Sequence, residues 1–115
     1  MKTKLTYKIS PRLFTEDKAF GPGVAALLHR VDDLHSLRAA AMSMGMAYSK
    51  AWTIVKNSEN AFGFKFLTST AGGKGGGGAV LTAECRALLV RYDTFCEKMK
   101  SYGDALFAEL FAEEL

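Results

Sequence analysis

"SLRAAAMSMGMAYSKAW", Ser36 to Trp52, decides the fold of this 115-residue chain. Ser36 is a residue type that caps a helix, placing its side-chain oxygen on the orphan N–H groups of the first turn. A short helix over "LRAAAMSM" is therefore expected, and Gly45 stands where a left-handed residue ends it. A second helical pattern, "AYSKAWTIVKNSENAF", follows almost at once. It points Ala51, Trp52, Val55 and Phe62 toward a core, with Tyr48 and Ser49 at its start and Gly63 past its end. Lys50, Thr53 and Lys56 fall mostly on the other side. The alanines allow close approach of the first helix to its neighbour. A turn centred on Gly45 then holds the second helix at a steep angle, able to present its N-terminal side chains to a major groove.

Upstream, Val24, Leu27, Leu28, Val31 and Leu34 recur at helical intervals and form one apolar stripe. Pro22 suits the first turn of that helix, where its missing N–H costs nothing. "KLTYKI", Lys4 to Ile9, alternates polar and apolar residues and predicts a half-exposed strand ended by Pro11. In "RLFTEDKAFGPG" the polar "TEDK" between Leu13-Phe14 and Phe20 suggests a short hairpin. Downstream, "FKFLTS" reads as a strand, "AVL" as a returning strand, and Thr82 as the cap of a last helix.

Helices around a glycine-centred turn, followed by a β-hairpin, make a mostly α fold with a small wing. The expectation is a winged helix-turn-helix with a long C-terminal dimerisation helix. Residues 1–81 form the DNA-binding part and residues 82–115 the dimerisation helix of one globular unit.

The loop of the hairpin is "GGKGGGG", Gly72 to Gly78. As the tip of a wing it has no side chains to hold it off a phosphate backbone, and its successive N–H groups favour anions. Lys74 adds a charge that pairs with a phosphate and releases a counterion. Gly73, Gly75 and Gly78 formally match the dinucleotide-binding fingerprint. That fingerprint needs a helix directly after it, and here "AVLT" follows. A P-loop needs Ser or Thr after its lysine, and Lys74 is followed by Gly75. A plain flexible hairpin tip is the other reading.

In the last helix Leu88, Tyr92, Phe95, Met99, Tyr102, Leu106 and Leu110 approach a heptad seam, widened by Phe107, Phe111 and Leu115. From Ala83 to the end such a helix runs about 50 Å, longer than a globule of this size can cover, so the seam is expected to join two chains. Gly103 is a candidate break. The alternative is that the stripe covers the wing and the first helix. Cys85 and Cys96 would lie about 16 Å apart along this helix, too far for an internal disulfide.

Composition agrees with an ordinary domain, 49% hydrophobic and 23% charged. No apolar run approaches the ~20 residues of a membrane span, and the basic N-terminus lacks the core of a signal peptide, so a cytoplasmic location is expected. Net charge is +3. Residues 1–81 hold 11 Lys/Arg against 5 Asp/Glu, and residues 82–115 hold 4 against 7. A basic front suits an anionic partner. "MSMGM" resembles a thioether metal site but spans a helix end, where methionine fills gaps. His29 and His35 are not on one helical face, and zinc-ligand spacing is missing. No nucleophile, base and orienter converge, so neither an enzyme nor a metal or other cofactor is expected.

"GPGVAALLHRVDDLHSLRAAAMSMGMAYSKAW" followed by "GGKGGGGAVLT" resembles the N-terminal DNA-binding domain of the molybdate-responsive regulators, the ModE family, over roughly Phe20 to Tyr92. The resemblance implies a dimeric winged helix-turn-helix on double-stranded operator DNA, with its recognition helix starting near Tyr48. In such an arrangement Ser36 and Arg38 hold backbone phosphates. Ser49, Lys50 and Thr53 reach base edges or phosphates, and Lys56 and Lys74 add charge along the backbone. The chain departs from the family pattern at Ala47, where a serine cap is usual, at Thr68-Ser69, where a charged pair is usual, and at "AEC" after Thr82. The match is to members made of this domain alone, so molybdate binding is not carried over and any effector stays open. The functional expectation is a homodimeric, sequence-specific transcriptional regulator. The alternative is a protein-interaction module that kept the fold with little DNA affinity.

Overall fold

A computed structural model describes residues 4–70 and 78–115. The chain opens with an irregular segment, then a small hairpin of β1 (Leu13–Phe14) and β2 (Lys18–Phe20). Three helices follow: α1 (Pro22–Leu34), α2 (Leu37–Ser43) and α3 (Tyr48–Phe62). A second antiparallel hairpin joins β3 (Leu67–Thr70) to β4 (Gly78–Leu81), pairing Leu67 with Leu81 and Thr70 with Gly78. Helix α4 (Ala83–Leu110) leads to a short 3-10 turn at Ala112–Glu114. The described protein is thus mostly helical with two small antiparallel sheets.

The helix ends are set by the residues the sequence marks. Ser36 Oγ accepts from the backbone N–H of Ala39 at 3.0 Å, and Thr82 Oγ1 from that of Cys85 at 3.1 Å. Gly45 and Gly63 take left-handed conformations, φ 66° and 80°. His35 does the same at the end of α1, φ 55°, an uncommon conformation for a side-chain-bearing residue. That sharp exit leaves Leu34 exposed rather than in the apolar stripe, whose other members are buried.

Val24, Leu27, Leu28 and Val31 of α1 meet Ala40 and Ala41 of α2, Ala51 and Val55 of α3, and Cys85, Leu88, Leu89 and Tyr92 of α4. Phe20 and Phe66 fill the centre, with the Phe20 ring 4.9 Å from that of Tyr92. Burial pushes the Cys85 thiol up to about 12, so it packs as a small apolar group. Glu59 is a carboxylate in this interior. Its Oε2 accepts from the N–H of Phe66 at 2.7 Å, and its Oε1 from Lys56 Nζ at 3.1 Å. Ser58 donates to the carbonyl of Ala19 at 2.7 Å. These bonds lock α3 to β2 and to the start of the second hairpin.

The loop end of that hairpin is hooked to the corner between α1 and α2, where the N–H of Ala79 donates to the His35 carbonyl at 2.9 Å. A Cβ on Gly78 would come within 2.8 Å of the same carbonyl oxygen and collide with Thr70 Oγ1, so glycine is required there. Arg86 of α4 grips Asp32 of α1 through two bonds, at 2.9 and 3.1 Å, and His29 meets Asp93 at 2.7 Å.

Two expectations change. Lys4–Ile9 is not a strand: among the described residues no second strand pairs with it. The segment lies instead along α4, where the Tyr7 hydroxyl donates to Asp104 and the Tyr7 ring sits 4.9 Å from that of Phe107. Gly103 does not break α4. Its missing Cβ makes room for the Tyr7 ring, whose Cε2 and Cζ would lie 3.1 Å from such an atom. Unbroken α4 gives the molecule a long axis, with extents of 58 × 32 × 22 Å.

Candidate nucleic-acid interface

Helix α3 buries one face, Ala51, Val55, Ser58 and Glu59, with Ile54 half-buried beside it, and exposes Tyr48, Ser49, Lys50, Trp52 and Thr53. Ser49, Lys50 and Thr53 are all exposed, as the pattern predicts. The Thr53 hydroxyl donates back to the Ser49 carbonyl at 3.0 Å, leaving its oxygen free to accept a further bond. Ala47 occupies the cap position and provides no side-chain bond. The first N–H groups of α3 therefore have no side-chain acceptor at this cap, and the first turn carries no acidic residue.

The start of α2 lies against the start of α3. Ser36 is committed to capping α2. Arg38, exposed in the first turn of α2, stacks over the Tyr48 ring with its guanidinium carbon 4.3 Å from the ring centroid. So Arg38 and Tyr48 meet at the α2–α3 junction, and Ser49 and Lys50 stand exposed beside them in the first turn of α3. Lys56 is different. Its ammonium is held by Glu59, whose hydrogen bond raises its pKa, and it lies 5.4 Å from the centre of the Trp52 ring. Its charge serves the fold before it can serve a ligand. Lys74 and the rest of the glycine tip, residues 71–77, lie outside the described residues.

Trp52 corrects the sequence reading. Assigned to the core, it is 48% exposed. Its core assignment rested on apolarity alone. The usable signal was its spacing, four residues from both Tyr48 and Lys56, which places all three along one edge of α3. On β3, Thr68 and Ser69 are exposed and uncharged.

The proposed seam on α4 divides in two. Leu88 and Tyr92, 3% and 4% exposed, belong to the core of their own chain, and the Tyr92 hydroxyl donates to the Pro11 carbonyl at 2.7 Å. They cannot line a face between two chains, because α1 and β2 already cover that part of the helix. Further along, Phe95, Tyr102, Leu106 and Leu110 are exposed and Met99 is half-buried. At 3.6 residues per turn these five fall within a sector of about 80°. The adjoining face of the same turns, Gly103, Asp104 and Phe107, is occupied by Tyr7. Cys85 and Cys96 are both free thiols. Among the described residues no cluster of three or more His, Cys, Asp or Glu could hold a metal ion, and no helix is long and apolar enough to cross a membrane.

No protein-family model matches the chain. Individual proteins do. It is 34% identical to the transcriptional regulator ModE of Yersinia pestis over 89% of its length, and 29% identical over 89% to the DNA-binding transcriptional dual regulator ModE of Escherichia coli K12. It is also 39% identical over 58% of its length to the molybdenum-pterin-binding protein MopB of Rhodobacter capsulatus. The chain spans 37% of the length of those two regulators and 25% of MopB.

Proposed function

The chain being a homologue of the ModE transcriptional regulators, we propose that it is a regulator of the same kind, binding double-stranded DNA as a homodimeric winged helix-turn-helix, with no catalytic step of its own. Helix α3 is the recognition helix, the β3–β4 hairpin is the wing, and the second half of α4 joins two copies. Residues 1–81 carry the DNA contacts and residues 82–115 the dimer. The observation that carries this reading is the surface at the α2–α3 junction. Arg38, Tyr48, Ser49, Lys50 and Thr53 stand exposed on two helices whose other faces are buried, beside a hairpin hooked to the same unit. Ser49, Lys50 and Thr53 are placed for base edges or phosphates, Arg38 for the backbone. Two recognition helices about 34 Å apart in a dimer would read a palindrome.

A second reading is a protein-interaction module of the same fold. Three features favour it: the uncapped Ala47, the uncharged Thr68 and Ser69, and the neutralisation of Lys56 by Glu59. Titration of a labelled mixed-sequence duplex at two salt concentrations decides. A regulator binds with an affinity that falls steeply between about 50 and 200 mM salt. No binding at micromolar protein at the lower salt rejects the DNA reading in favour of the module.

A further inference from the structure

Arg38 and Tyr48 come from different helices, yet the guanidinium carbon lies 4.3 Å from the ring centroid. Both residues are exposed. A guanidinium held over a ring by its central carbon keeps N–H donors free for a further acceptor. Among the described residues Arg38 enters no ion pair, so no carboxylate competes for those donors. Local helix electrostatics do not explain an arginine there either. Arg38 is in the first turn of α2, the end that disfavours a cation. Its orientation comes from the ring, and the ring is fixed at the first position of α3. Among the described residues the Tyr48 hydroxyl bonds to no protein group, so the ring face is the part that acts.

We propose that Tyr48 is a positioning residue for Arg38, holding the rim of its guanidinium toward one backbone phosphate of a DNA duplex. The proposal rests on the DNA-binding reading above and goes beyond it by making the two residues one unit. Arg38 supplies the charge. Tyr48 supplies the aim, so that side-chain freedom is lost before binding rather than during it. An exposed cation–π pair corresponds to about a two- to fivefold change in affinity.

The test is a double-mutant cycle on binding to a fluorescently labelled mixed-sequence duplex of about three helical turns, followed by anisotropy across salt. Arg38→Ala should weaken binding and reduce the slope of log affinity against log salt by about 0.9. Tyr48→Ala should weaken binding by about two- to fivefold in the wild-type background and by nothing further in Arg38→Ala. Tyr48→Phe, which keeps the ring face, should bind as the wild type does. Additive losses in the double variant overturn the proposal, because a tyrosine that contacts DNA itself or merely supports the fold acts equally with or without Arg38. Tyr48→Phe as damaging as Tyr48→Ala overturns it too, by moving the role to the hydroxyl. Failure of the wild type to bind at low salt overturns the DNA reading and this pair with it. Binding with additive losses leaves that reading intact and removes the pair alone.

Discussion

Glu59 shows how a single side chain ties α3 to the second hairpin. Its two oxygens hold Lys56 on α3 and the N–H of Phe66 at the foot of the β3–β4 hairpin. Glu59→Gln keeps the shape and can keep an acceptor for Phe66, but it gives up the charged bond to Lys56. The expected cost is about 1–3 kcal/mol, read as a lower thermal midpoint. The same change releases the Lys56 ammonium on the proposed recognition helix. The variant should therefore bind duplex more tightly at low salt, with a salt slope steeper by about 0.9. At this scale the sequence was legible where a residue type has a single local job. Ser36, Thr82, Gly45 and Gly63 were such residues. Glu59 was not, because its reason for being buried is a backbone N–H seven residues on. Trp52 was not either, since its apolarity pointed inward while the neighbours at i−4 and i+4 lie along the exposed edge of the helix.

Among the elements, α4 and the Lys4–Ile9 segment have to be understood together. The alternation of "KLTYKI" says extended but not what it lies against, and a helix is a partner that periodicity cannot reveal. Gly103 is a candidate break by its usual effect on its own helix; here its use is to the Tyr7 ring. Gly103→Ala alone should gain little or lose stability, since the new methyl displaces that ring. In a Tyr7→Ala background the same change should stabilise by up to about 1 kcal/mol, the ordinary helix preference for alanine, seen as a rise in thermal midpoint. The contact is also pH-dependent. The hydrogen bond to Asp104 pushes Tyr7 up to about 12, and the bonds from Tyr7 and Lys100 hold Asp104 below the usual carboxylate range. Tyr7 is raised, so its contribution is complete below the ordinary tyrosine value of about 10 and disappears as pH climbs toward 12. Asp104 is lowered, so its share is present above about pH 4 and is lost in acid. In a spectrophotometric titration Tyr7→Phe should remove one late-ionising phenol.

At the scale of the whole molecule, the second half of α4 extends past Tyr92, the last buried residue of that helix. Phe95, Met99, Tyr102, Leu106 and Leu110 form a stripe there that the chain leaves largely uncovered, Tyr102 at 75% exposure. On the proposed homodimer reading, Leu106→Glu should shift dimer to monomer in sedimentation while leaving the core and the far-ultraviolet spectrum intact. Duplex affinity should fall with it, as two half-sites become one. A dimer that persists unchanged would move the interface elsewhere. The heptad spacing was read over its full length from the sequence, yet its first two positions serve the core. Spacing alone does not say where a helix leaves its own globule.

The second hairpin is fastened beside its loop, where Ala79 meets the carbonyl of the left-handed His35 and Gly78 leaves no room for a side chain. Pitch and reach are thereby assigned to different parts of the chain. The angle at which the chain leaves the body between the strands is inherited from the corner between two helices, and the number of glycines sets only the length of chain between the strands. On the proposed DNA reading, lengthening or shortening that run would tune grip on a duplex without re-aiming it, whereas one methyl group at position 78 would push the strand ends off that corner.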